Sequence, residues 1–161
     1  MNDKFVVLLR HGIAEPHGSR ADDDARELTE TGHRRMKQIA RRLAENFPKA
    51  AAIYSSPLIR ATQTAHWVAK AYDGRLEVKL APALVPTAET AEARAFLESL
   101  SEARVICVGH ESNLSELMLA LTSMRADGGI ELKKGGCYGV RIAENGAAQL
   151  EWMLPPRVLR R

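Results

Sequence analysis

Residues 105–108 read Val-Ile-Cys-Val, four apolar side chains in succession between Arg104 and Gly109. A strand with one wet face alternates apolar and polar side chains. A run without alternation belongs to a strand covered on both faces, the situation of a parallel strand between two layers of helices. That run restricts the chain to layered α/β architectures, and the remaining sequence has the matching rhythm. Residues 5–9, Phe-Val-Val-Leu-Leu, form a second such run, and 51–54 and 76–80 read as shorter strands. Helical spacing appears at 31–46, where Met36, Ile39, Ala40 and Leu43 share a face and Pro48 closes the segment. It appears again at 59–72, 90–100 and 114–121. Residues 137–142 and 149–153 read as a hairpin turning at Glu144-Asn145-Gly146. The order βαβαβαβαββ predicts an α/β three-layer sandwich around a mainly parallel central sheet of about six strands. A length of 161 residues suits one domain over 1–161. Residues 13–30 are polar and predict a long loop whose acidic run, Asp22-Asp23-Asp24, is solvated. The basic tail 157–161 predicts a frayed end.

Charge and cysteine usage exclude several functions. A net charge of +3 is too small to argue for nucleic-acid binding. The densest basic stretch, His33-Arg34-Arg35 to Arg41-Arg42, falls on a helical pattern and reads as a solvated face. No stretch approaches the length of a membrane span. Residues 1–4 are polar and the apolar run after them is short, so no signal peptide is expected. Cys107 and Cys137 lie inside apolar strands and read as buried free thiols. A cytoplasmic setting follows as the expectation.

Three strands end on polar residues, and open α/β sheets bind ligands beyond the carboxyl ends of their strands. The first ends at Arg10-His11-Gly12, the second at Ser55-Ser56-Pro57 with Arg60 following, the fourth at Gly109-His110-Glu111. Ser56 reads as an N-cap and Pro57 as a first helical residue, which puts Arg60 in a first turn, where the helix dipole opposes a cation. An anion nearby would explain it; a surface salt bridge, for instance to Glu77, is the plainer account of Arg60 alone. Two histidines and two arginines on neighbouring strand tips argue for more. Guanidinium forks match phosphate oxygens. A neutral imidazole is a competent nucleophile towards phosphorus. A second, protonated histidine can stabilise charge on the transferring group. Gly12 would let backbone approach a ligand or take a positive φ. A cysteine-nucleophile reading fails, because it needs an arginine six residues on, and positions 113 and 143 are Asn and Ala. His17, His33 and His66 read as surface residues. No His/Cys/Asp/Glu spacing suits a metal, so neither metal nor other cofactor is expected.

Leu9-Arg10-His11-Gly12 resembles the RHG signature of the histidine phosphatase superfamily, which includes relatives of phosphoglycerate mutase. Ser56-Pro57-Leu58-Ile59-Arg60-Ala61-Thr62-Gln63-Thr64 resembles that family's S-P-x-x-R-A-x-Q-T segment, and Val108-Gly109-His110-Glu111 its later G-H segment. Leu28-Thr29-Glu30-Thr31-Gly32 resembles its L-T-x-x-G stretch. These segments run in family order from residue 5 to about 121. The resemblance implies a phosphoglycerate mutase-like fold, His11 as the phosphorylated nucleophile, and Arg10, Arg60 and His110 completing the phosphate pocket, with Gly12 and Asn113 as further phosphate ligands. Glu111 would be the proton donor, as in the acid-phosphatase branch, or would only support the next helix. Ser112 and Asn113 would cap that helix. The small size is most similar to the SixA-type phosphohistidine phosphatases. Larger members cover the site with an insertion after the third strand, where this chain has only residues 81–89. An open groove suits a phosphorylated protein better than a small phosphorylated metabolite. The complete set of His11, Arg10, Arg60 and His110 favours an enzyme over a non-catalytic phosphate-binding module, and the short segment disfavours a mutase.

Overall fold

A computed structural model describes residues 3–161. Ten elements follow the expected order: β1 (Lys4–Arg10), α1 (Glu30–Asn46), β2 (Ala52–Ser55), α2 (Ile59–Ala71), β3 (Val78–Leu80), α3 (Thr90–Ser99), β4 (Arg104–Gly109), α4 (Asn113–Thr122), β5 (Cys137–Ile142) and β6 (Ala148–Leu154). A short helix, α5 (Pro156–Leu159), closes the chain. The strands form one sheet in the order β3-β2-β4-β1-β5-β6. The pairs β3·β2, β2·β4 and β4·β1 are parallel, while β5 is antiparallel to both β1 and β6, so β5 alone runs against the rest.

The unbroken apolar strands are covered on both sides. Val7, Leu9, Ile53, Ile106 and Val108 pack with Met36, Ile39 and Leu43 of α1 and Ala61, Ala65 and Val68 of α2. Val6, Leu8, Tyr54, Val105 and Cys107 pack with Leu97 of α3 and Leu114, Leu117 and Met118 of α4. Successive residues of one strand thus serve opposite cores, which is why no position in 105–108 can be polar.

The structure departs from the expectations at four places. β3 is only three residues long, because residues 76 and 77 precede its pairing with β2. α2 starts at Ile59, with Leu58 as its cap, so Ser56 does not cap it. The loop 13–30 is not featureless. Thr29 caps α1 by accepting from the Gly32 amide at 3.0 Å, Ala14 bridges Leu28, and Asp23–Ala25 form a 3-10 turn. The basic tail is not frayed: α5 buries Leu159 against the α1 layer, and Arg42 Nε donates to the Arg161 carbonyl at 2.6 Å.

Candidate active site

Parallel pairing brings the polar strand ends together. Arg10 is in register with Gly109, the His11 amide donates to the Gly109 carbonyl at 3.1 Å, and the Ser56 amide donates to Val108 at 2.9 Å. A cavity of about 170 Å³ opens over these ends, lined by Arg10, His11, Arg60, His110 and Glu111 among others. His11, Arg60 and His110 are buried. The imidazole rings of His11 and His110 lie 5.1 Å apart, centroid to centroid.

His11 Nδ1 is 2.7 Å from the Gly12 carbonyl. A carbonyl only accepts, so Nδ1 carries the proton and Nε2 the lone pair. Burial holds the His11 imidazole well below its ordinary pKa of 6.5, and His110, Arg60 and Arg10 push the same way, against the Gly12 carbonyl. His110 Nε2 meets the Ser56 hydroxyl at 2.8 Å, the task that occupies Ser56 instead of capping. Burial, then Arg60, Arg10 and Arg26, push His110 down to about 3. The protonated His110 expected from the sequence is therefore disfavoured in the ligand-free site, and only an incoming anion would reverse this.

Arg60 sits in the first turn of α2, as the spacing implied. Its partner is Asp23, not Glu77: Nη1 donates to the Asp23 carbonyl at 3.1 Å and Nη2 is 3.7 Å from the carboxylate. Arg10 donates to the Leu132 carbonyl and, at 3.3 Å, to Glu131. Arg10 Nε, Arg60 Nε, His110 Nδ1 and Glu111 Oε1 are all buried without a hydrogen-bond partner. Buried polar atoms are seldom left so. Four of them around one cavity describe a site whose partners come with a ligand, three of the four being able to donate to an anion.

Two expected phosphate ligands lie elsewhere. The Gly12 amide is committed to Thr64 Oγ1 at 3.0 Å, its φ is not positive, and a Cβ there would come within 2.5 Å of Met36 Cγ. Gly12 is thus required by the approach of α1, not by a ligand. Asn113 gives its amide hydrogens to the Pro86 and Ala88 carbonyls at 3.0 and 3.1 Å, pinning the segment after β3. Ser112 does not cap α4 through its side chain, and its hydroxyl meets Glu116. Glu111 lines the cavity, its Oε2 accepting from the Leu132 amide at 3.0 Å.

Other side chains enter the site unannounced. Arg26, only 4% exposed, donates to Asp23 at 2.7 and 3.2 Å and to the Glu15 carbonyl at 2.7 Å, and it lines the cavity. Asp23 is not merely solvated; its hydrogen bond from Arg26 holds its carboxyl down at about 2. His17 is exposed, as read, and stands at the cavity rim 2.9 Å from Asp23. His33 is half-buried and accepts from Trp67 Nε1 at 3.0 Å, away from the site. Gln63 of the matched segment accepts from the Leu28 amide at 2.7 Å and so fixes the loop that delivers Arg26. Among the described residues no cluster of three or more His, Cys, Asp and Glu side chains could hold a metal ion, and no helix is long and apolar enough to cross a membrane.

Residues 6–86 match the histidine phosphatase superfamily (branch 1). An uncharacterized protein of Picosynechococcus sp. is 34% identical over 149 residues, 91% of this chain and 88% of its own length. Among solved structures, the protein histidine phosphatase SixA complexed with tungstate aligns with a TM-score of 0.83 at 23% identity, over 96% of this chain and 99% of its own. A mycobacterial glucosyl-3-phosphoglycerate phosphatase aligns at 0.77 and 16% identity, over 96% and 100%. At such identities these two structures speak for the fold alone.

Proposed function

Because the chain belongs to branch 1 of the histidine phosphatase superfamily, and is by that membership a histidine-dependent phosphatase, we propose that it hydrolyses phosphohistidine on proteins through a covalent phospho-His11 intermediate. The observation that carries this reading is the set of unpartnered buried polar atoms around the neutral His11 ring. His11 Nε2 attacks phosphorus, and the Gly12 carbonyl holds the ring in the tautomer this needs. Arg10, Arg60 and His110 donate to the phosphoryl oxygens, where charge is spread in the transition state. The departing imidazole has a conjugate-acid pKa of roughly 6.5 and leaves with little help. Water then attacks phospho-His11, and inorganic phosphate departs.

The shape of the cavity supports a protein-borne substrate. The open cavity of about 170 Å³ takes a phosphoryl group and the part of its carrier nearest the phosphorus. The segment after β3 contributes only Pro86 to the lining and is pinned by Asn113. Nothing there encloses a metabolite, whereas a side chain presented by a protein needs only its tip covered. The phosphoglycerate-derived substrate named for the mycobacterial structure supports a small-metabolite reading as the second choice.

Rapid quench with a ³²P-phosphohistidine protein tests the proposal. An acid-labile, base-stable adduct on His11 is expected, lost in His11→Ala with the activity. Full activity of His11→Ala, or an adduct elsewhere, refutes the mechanism. Faster turnover of small phosphate esters than of the phosphoprotein refutes the substrate class.

A further inference from the structure

The segment 132–136, Leu-Lys-Lys-Gly-Gly, has no part in the chemistry above, yet it is strapped to the backbone of the nucleophile. The Gly135 amide donates to the carbonyls of Arg10 and His11 at 3.1 and 3.2 Å, and the Arg10 amide donates to Gly136 at 3.0 Å. The Gly136 amide closes the turn on the Lys133 carbonyl at 2.7 Å. Gly135 has φ +82°, and a Cβ there would stand 2.7 Å from Ile39 Cδ1, so only glycine fits the turn. The residue before Gly135 is therefore held at a fixed distance from His11.

That residue is Lys134, an exposed residue that lines the same cavity as Arg10, His11, Arg60 and His110. Its neighbour Lys133 has Glu131 at 3.7 Å. Lys134 has no ion pair or side-chain hydrogen bond among the described residues. Arg10, Arg26 and Arg60 each have a carboxylate or carbonyl within reach. Partial burial and these three cations together lower the pKa of Lys134 from its ordinary value. The cavity lining holds four cationic side chains against two carboxylates, Asp23 and Glu111. That surplus of cationic side chains suits an oxyanion. In the free protein the arrangement is repulsive; with an oxyanion in place it is not.

We propose that Lys134 is a substrate-contacting residue whose ammonium group binds a non-bridging oxygen of the phosphoryl group. The proposal rests on the phosphatase reading of the cavity and adds to it a further cation at the anion's place. Lys134 acts on the anion itself, not on whatever carries it, because the charges around it belong to the residues facing the anion.

Titration with tungstate, alongside p-nitrophenyl phosphate kinetics, separates the possibilities in the full chain. Lys134→Met is expected to weaken tungstate binding and raise KM by about tenfold or more, the effect of losing one charge-assisted hydrogen bond. Lys134→Arg recovers much of both, Lys133→Met changes neither, and the melting temperature of Lys134→Met does not fall. Unchanged tungstate affinity in Lys134→Met overturns the proposal, whether or not KM rises. Equal losses in Lys133→Met and Lys134→Met overturn it too, since they would mark a diffuse field. A wild-type protein that binds tungstate but hydrolyses nothing refutes the phosphatase reading alone, and the Lys134 assignment then stands or falls on the tungstate affinities.

Discussion

His11 and His110 face each other among Arg10, Arg26 and Arg60, and burial keeps both rings neutral. In the unfolded chain each would take a proton near pH 6.5. Acid therefore favours unfolding: the contribution of these rings to stability is whole above about 6.5 and drains away as pH falls towards about 3, where His110 itself titrates. An oxyanion reverses the electrostatics and should draw a proton onto His110. In NMR titration of the free protein, neither ring is expected to move between pH 8 and 5; adding tungstate at pH 6 should shift His110 and leave Ser56 its partner. A midpoint near 6.5 in the free protein would contradict the burial argument. Glu111 has one oxygen tied to Leu132 and the other buried without a partner. A proton on that free oxygen would serve a leaving group. Alkyl phosphates expel a basic alkoxide and need such an acid, typically worth ~10²–10⁴-fold, while p-nitrophenyl phosphate and phosphohistidine do not. Glu111→Gln should accordingly impair alkyl phosphate hydrolysis far more than the other two. A uniform fall, or none, would leave Glu111 as a support for the 132–136 segment.

At the level of elements, the site depends on how closely α1 lies against the strand that carries the nucleophile. Gly32 is in the first turn of α1, and a Cβ there would lie 2.0 Å from the Ile13 carbonyl oxygen. In an ordinary exposed helix, alanine in place of glycine gains up to ~1 kcal/mol. Here the obstacle is backbone, which cannot rotate away, so Gly32→Ala should instead destabilise by about 1–3 kcal/mol, the usual cost of overpacking. Gly12→Ala meets a side chain, Met36, and should cost less. Urea unfolding of the two variants checks both sign and order. The two glycines flank the loop that bears Asp23 and Arg26, so the strained variant should also lose affinity for tungstate.

Across the whole molecule, what could be read in the sequence was whatever depends on local pattern. The alternation of unbroken apolar runs with helical spacing gave the sheet, and the strand tips of β1, β2 and β4 converge because parallel pairing aligns their ends. The loop 13–30 was opaque because its structure comes from distant residues: Gln63 holds Leu28, Arg60 meets Asp23, and the Arg26 guanidinium is buried against Glu15 and Asp23. No local rule tells that Asp23, of the three aspartates, will meet Arg26 and Arg60. α5 is hidden for the same reason, its one buried anchor, Leu159, being too short a signal beside three arginines. The strand Cys107 occupies has one more bearing on function. Cys107 and Cys137 are fully buried, in the two different cores on opposite sides of the sheet, and burial pushes both thiols up to about 12. Neither offers a thiolate to peroxide, and the sheet between them forbids a disulfide. Phosphatases that use a cysteine nucleophile fall silent under oxidative stress, since the group that reacts with phosphorus is the one that oxidants consume. In this chain both thiols are sealed away from the proposed chemistry, so dephosphorylation is expected to continue when the redox balance of its surroundings turns oxidising.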